Sequence, residues 1–157
     1  AGLGAVPYND AKKLAQRPNI EVSTKGTEMI SPMVELIFNT KQAPFDNPKV
    51  RQAISYAVDR KFAIENVWFG FGKPAKGIIS SNFQPSGLFA EGIDFTVADR
   101  IERANKLLDE AGFPRKADGT RFEFVHDITP YGEEWQRFGE TVQQNLAQIG
   151  VKATLRY

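Results

Sequence analysis

Hydrophobic positions along this chain change their period several times, and each change marks an element. Val50, Ile54, Ala57 and Val58 share one helical face, and Asn47-Pro48 ahead of them supplies a cap and a first helical residue. Asp59 reads as the cap of a second short helix through Trp68, so a kinked helix pair is predicted, stopped by Gly70-Phe71-Gly72. Val97, Ile101, Ala104, Leu107, Leu108 and Ala111 repeat at helical spacing, with Thr96 and Asp99 spaced as a capping box and Gly112 and Pro114 as the stop. Trp135, Phe138, Val142, Leu146 and Ile149 predict another amphipathic helix, closed by Gly150. Arg121 to Val125 and Val151 to Tyr157 read as strands. Met33 to Asn39 has the apolar density of a strand buried on both faces. Ile20, Val22 and Ser23 suggest a shorter extended piece, and Lys12 to Arg17 a short helix ended by Pro18. From about 72 to 95, Pro74, Gly77, Pro85, Gly87 and Gly92 break every period, which predicts a long loop of the kind usually functional or packed against something. The order is strand, strand, helix pair, loop, helix, strand, helix, strand. The fold class is α/β.

Composition narrows the function. A chain of 157 residues, 41% apolar, can bury one domain core. Its 20 basic and 19 acidic residues leave +1, which argues against a dedicated nucleic-acid binder. With no cysteine there is no disulfide framework, no thiolate metal ligand and no cysteine nucleophile, although the compartment stays open. No apolar run approaches the ~18 residues that span a bilayer. Ala1 to Gly4 lack the basic and apolar regions of a signal peptide, and Val151 to Tyr157 reads as a strand cut in mid-flow, so a processed or excised piece of a longer protein is expected.

No motif carries strong catalytic chemistry. Gly70-Phe71-Gly72-Lys73-Pro74-Ala75 superficially fits a dinucleotide fingerprint, but a helix precedes it and Pro74 removes an amide that pyrophosphate would need. His126 is the single histidine, and Asp127 beside it on a strand would point to the other face. Neither a Gly-x-Ser-x-Gly elbow nor a metal-spaced His/Glu set accompanies it. Glu133-Glu134 and Asp109-Glu110 read as solvated helix faces. Trp68, Phe69 and Phe71 near Arg60, Lys61, Lys73 and Lys76 have the ingredients of a base-stacking platform, yet a packed helix end with snorkelling lysines explains them more simply. Phe38 and Asn39 end one expected strand; Thr129, Tyr131 and Trp135 follow another. Strand ends of open α/β sheets are where ligands sit, so these five residues form the candidate ligand-binding wall, with no metal site and no cofactor.

A long stretch then carries a resemblance. Leu36-Ile37-Phe38-Asn39, Ala43-Pro44-Phe45-Asp46-Asn47-Pro48-Lys49-Val50-Arg51-Gln52-Ala53-Ile54-Ser55-Tyr56-Ala57-Val58-Asp59-Arg60, Ala104 to Pro114 and Gln144 to Lys152 closely resemble the family 5 extracellular solute-binding proteins of ABC importers, the peptide- and nickel-binding group. The resemblance implies one lobe of a type II periplasmic-binding-protein-like fold, a mixed sheet flanked by helices, with residues 1–157 a partial second lobe. It further implies capture of an oligopeptide or peptide-like solute by closure of two lobes, delivery to the transmembrane subunits of an ABC permease, a periplasmic or extracytoplasmic location, no enzymatic activity, no nucleic-acid partner, and a monomer at full length. Opines, oligosaccharides and nickel are the alternatives within the family, and a hydrolase is the alternative outside it. Thr129-Pro130-Tyr131 falls where dipeptide-binding relatives show Arg-Pro-Tyr, and a threonine cannot grip a ligand carboxylate as that arginine does. The departure argues against a dipeptide ligand.

Overall fold

The computed structural model describes residues 6–26, 32–87 and 92–157. Its elements are α1 (Tyr8–Leu14), α2 (Pro48–Ala57), α3 (Arg60–Asn66), a 3-10 turn (Ser81–Ser86), α4 (Arg100–Glu110), β1 (Phe122–Asp127), α5 (Glu133–Gln148) and β2 (Val151–Arg156). β1 and β2 pair in parallel, from Phe122 opposite Val151 to Asp127 opposite Arg156, and α5 is the crossover between them. A parallel pair needs such a connection, since no hairpin can join strands running the same way.

The helix pair forms as its caps dictate. The Asn47 side chain accepts a hydrogen bond from the Lys49 amide at 2.9 Å, Pro48 takes the first position, and Val58 leaves the helical region with ψ 119°. One residue later the Asp59 carboxylate accepts from the Phe62 amide at 2.9 Å and starts α3. The kink is held from outside as well. Asn145 of α5, buried, accepts the Asp59 amide at 2.8 Å, while Arg100 of α4 donates to the Ala57 carbonyl at 2.6 Å and the Asp59 carboxylate at 2.7 Å. Three elements therefore meet at one backbone bend.

The core lies between α2, α4, α5 and the inner side of the two strands. Ile54, Leu108, Leu146, Ile149, Val50, Val142 and Val151 are its largest fully enclosed side chains. Phe122 and Phe124 point inward with Ala153, and Phe45 joins Phe38 to Phe124 through ring contacts of 5.4 and 5.1 Å. The outer side of the pair is polar: Lys152 faces Glu123 at 3.2 Å, and Arg156 binds both carboxylate oxygens of Asp127. At the amino end of β1, Arg121 is buried and its guanidinium donates to Asp109, the Phe113 carbonyl and Asn105, joining α4 to the strand.

Several expectations need correction. Met33 to Asn39 pairs with no strand among the described residues, so the mixed sheet is represented here by a parallel pair alone. The segment keeps a strand's alternation at its end, with Leu36 and Phe38 packed on the core and Ile37 91% exposed between them. A strand is defined by its neighbour, and none lies alongside among the described residues. Ile20 to Ser23 is unpaired for the same reason. The first helix begins earlier than expected, at Tyr8, and ends at Leu14. Thr96 and Asp99 form no capping box: Thr96 turns back to Asp94, whose carboxylate takes both its amide at 2.8 Å and its hydroxyl at 2.6 Å. Asp99 is the cap residue of α4 with no side-chain cap bond, its carboxylate occupied by Arg103. β1 runs two residues past Val125, so His126 and Asp127 are strand residues. Ala1 to Gly4 fall outside the described residues.

Candidate functional site

The parallel pair ends at Asp127 and Arg156, and the chain beyond β1 builds the site. The Ile128 amide donates to the Arg156 carbonyl at 2.9 Å, extending the ladder by one bond. The Tyr131 amide then donates to the Thr129 carbonyl at 2.9 Å, a tight three-residue turn. Gly132, with φ +117°, adopts a backbone that other residues resist and turns the chain into α5. The turn brings Tyr131 and Trp135 together edge to face, centroids 5.9 Å apart, and leaves Tyr131 75% exposed.

Beside this turn lies an open hollow of about 280 Å³ lined by Ile128, Thr129, Pro130, Gly132, Gln136 and Tyr157. It sits at the carboxyl ends of both strands, where α/β sheets bind ligands. Its lining is uncharged: Ile128 and Pro130 are apolar, while Thr129, Gln136 and Tyr157 offer hydroxyl and amide groups. The loop is seated by α5 itself. Gly139 lies in the middle of that helix, and a Cβ there would run into the Ile128 side chain. A glycine inside a helix costs about 1 kcal/mol relative to alanine; here it leaves room for Ile128, the first residue of the loop after β1.

Of the five candidate residues, the structure gathers Thr129, Tyr131 and Trp135 in one turn, with Thr129 on the hollow. Phe38 lies elsewhere, partly buried against Phe45. Asn39 is exposed, its side-chain oxygen accepting the Lys41 amide at 3.2 Å. Among the described residues, no hydrogen bond or ring contact joins Phe38 or Asn39 directly to the 129–135 turn. Sequence reasoning did not single out Gln136, Ile128, Gly139 or Tyr157. Gln136 had a signal, standing one helical turn beyond Gly132, and so did Gly139, a glycine interrupting an apolar stripe.

The rejected chemistries are accounted for by contacts. Asp127 is bound by Arg156, which holds its carboxyl below the usual range, so it does not orient His126. His126 is half-buried near Phe124, burial pushes its imidazole below the ordinary value, and its Nδ1 has no hydrogen-bond partner among the described residues. Trp68 is buried against Phe138 at 4.8 Å, Phe71 meets Tyr8 at 5.7 Å, and Lys12 lies 6.0 Å from the centre of Phe69. That aromatic group packs α3 against α1 and α5. No group of three or more His, Cys, Asp or Glu among the described residues has the arrangement of a metal site. No helix among them is long and apolar enough to cross a membrane.

Comparison with known proteins bears on the chain as a whole. The sequence matches the family described as "Bacterial extracellular solute-binding proteins, family 5 Middle" over residues 3–157. The glutathione-binding protein GsiB of Escherichia coli K12 is 33% identical over 151 residues, covering 94% of this chain and 26% of GsiB. The chain thus spans about a quarter of the length of the curated relatives it matches. AgaA from A. tumefaciens R10, solved with agropinic acid, superimposes with a TM-score of 0.63 at 29% identity, over 96% of this chain and 28% of its own. The oligopeptide-binding protein AppA of Bacillus subtilis, solved with a nonapeptide, gives 0.63 at 26% identity, over 76% of this chain and 25% of its own. The α/β arrangement is part of a type II periplasmic-binding-protein fold. The chain belongs to the bacterial extracellular solute-binding proteins of family 5, a family of binding proteins rather than enzymes.

Proposed function

We propose that residues 1–157 form part of the second lobe of a receptor that captures an oligopeptide or peptide-like solute for an ABC importer. The observation that carries this reading is the exposed Tyr131 ring, standing edge-on to Trp135, in the loop whose neighbouring residues line an uncharged hollow at the strands' carboxyl ends. An aromatic face with a hydroxyl tip beside hydroxyl and amide groups suits a ligand that alternates apolar and hydrogen-bonding parts, as a peptide does. Thr129, Tyr131 and Trp135 form one part of the wall. Phe38 and Asn39 form a second part of the wall on the same lobe.

The mechanism is a shift between open and closed states. Ligand bridging two lobes stabilises the closed state only through contacts the open state lacks, so both lobes must contribute. The closed receptor then presents its solute to the permease subunits on the outer side of the cytoplasmic membrane. GsiB is named for glutathione and AppA was solved with a nonapeptide, which supports the peptide class. AgaA, solved with agropinic acid, supports an opine as the second reading.

Titration calorimetry of the full-length protein against peptides, opines, oligosaccharides and nickel tests this. A peptide is expected to bind, and Tyr131→Ala is expected to weaken it at least tenfold with an unchanged melting temperature. Unchanged affinity in Tyr131→Ala would place the aromatic wall elsewhere and overturn the site.

A further inference from the structure

Ile128 is shared between α5 and the hollow. It is half-buried, lines the hollow and, one residue past β1, lies across Gly139 in the middle of α5. A Cβ at position 139 would collide with Ile128 Cδ1 and stand 3.2 Å from Cγ1, so the end of the isoleucine occupies the space that a side chain at 139 would take. Both backbones are anchored. The Ile128 amide is tied to the Arg156 carbonyl at 2.9 Å. On α5, Phe138 packs on Trp68 at 4.8 Å, while Val142 and Leu146 are enclosed in the core. The branched Cβ of Ile128 also leaves it little freedom at its first torsion. A methyl group added at 139 is therefore accommodated by turning the isoleucine arm out of the notch, and the open space it lines is the hollow.

We propose that Gly139 is a specificity-determining residue of the site, acting through Ile128 without touching the ligand. Resting on the function proposed above, the hollow of about 280 Å³ receives one side chain of a peptide-like solute, and the notch at Gly139 sets how much of that space Ile128 leaves free. Ile128 and Pro130 make part of the lining apolar, which suits an aliphatic side chain. With glycine at 139 the hollow admits a bulky aliphatic group; with a methyl there it admits only a small one. Room for a single methylene changes discrimination by about tenfold or more.

The test uses the full-length protein, titrated by calorimetry with trialanine and with trileucine. Gly139→Ala is expected to lower the affinity for trileucine relative to trialanine by about tenfold or more. Ile128→Val, which removes the carbon seated in the notch, is expected to leave that ratio unchanged when made alone and to restore it when added to Gly139→Ala. A residue that only stabilised α5 would affect both peptides alike, so the ratio separates the two roles. An unmoved ratio in a folded Gly139→Ala would overturn the role of Gly139 and leave the peptide receptor standing. So would a lowered ratio that Ile128→Val does not restore. If Gly139→Ala alone does not fold, the double variant is expected to fold with the wild-type ratio, and its failure to do so would overturn the notch. Failure of both peptides to bind the wild-type protein would remove the peptide reading and the role of Gly139 together.

Discussion

His126 occupies the inner side of β1 near Phe124, with Nδ1 enclosed and without a hydrogen-bond partner among the described residues, and burial holds the imidazole below its ordinary value. The folded state therefore favours the neutral ring, while the unfolded chain takes up a proton as pH falls below about 6.5. By linkage, stability from this group is complete above that value and is lost as pH descends toward the lower folded value. Urea-denaturation midpoints are expected to decline between pH 7 and pH 5, a window above the range where the depressed carboxylates begin to titrate. His126→Phe is expected to flatten that decline; an equal slope in the variant would assign it to another group. Side chains also show how far the site could be read. Thr129, Tyr131 and Trp135 are close along the chain, so a turn after a strand was enough to collect them. Arg156 and Asp127 meet across two strands 29 residues apart, and nothing in their local sequence announces it.

Among the elements, those whose determinants are local follow the sequence closely. Asn47-Pro48 and Asp59 start α2 and α3 by hydrogen bonds within three residues, and Gly150, with φ +74°, closes α5 where expected. Elements needing a distant partner do not. Met33 to Asn39 has the composition of a buried strand, but pairing is decided by what lies beside it. Thr96 had two acceptors in reach, and the nearer Asp94 took it. The bend between α2 and α3 depends on another element again, since Asn145 of α5 holds the Asp59 amide. Asn145→Ala leaves that amide without its acceptor and is expected to cost about 1–3 kcal/mol. Chemical denaturation measures this, and a loss below about 0.5 kcal/mol, half the usual hydrogen-bond contribution, would mean that water replaces the side chain.

For the molecule as a whole, the proposed division of the site between two lobes predicts a division of behaviour. A ligand at ~100 times its dissociation constant stabilises its receptor by about 2.7 kcal/mol. The full-length protein is expected to show that thermal shift and residues 1–157 alone to show none. A comparable shift in the isolated chain would mean that these residues hold a complete site and that closure of two lobes is not the mechanism.

The polar outer side of β1 and β2 bears on how the whole finds its arrangement. Alternating burial distinguishes a correct register from one displaced by a single residue, because that error would expose Phe122 and Phe124. It is blind to a displacement of two, which returns every side chain to its proper side. The cross-strand charges are not. Moved by two, Lys152 would face Val125 and Asp127 would face Thr154, and both ion pairs would be gone. Glu123–Lys152 and Asp127–Arg156 thus act as the vernier on a coarser scale, two exposed and individually weak contacts that resolve an ambiguity the hydrophobic core cannot see.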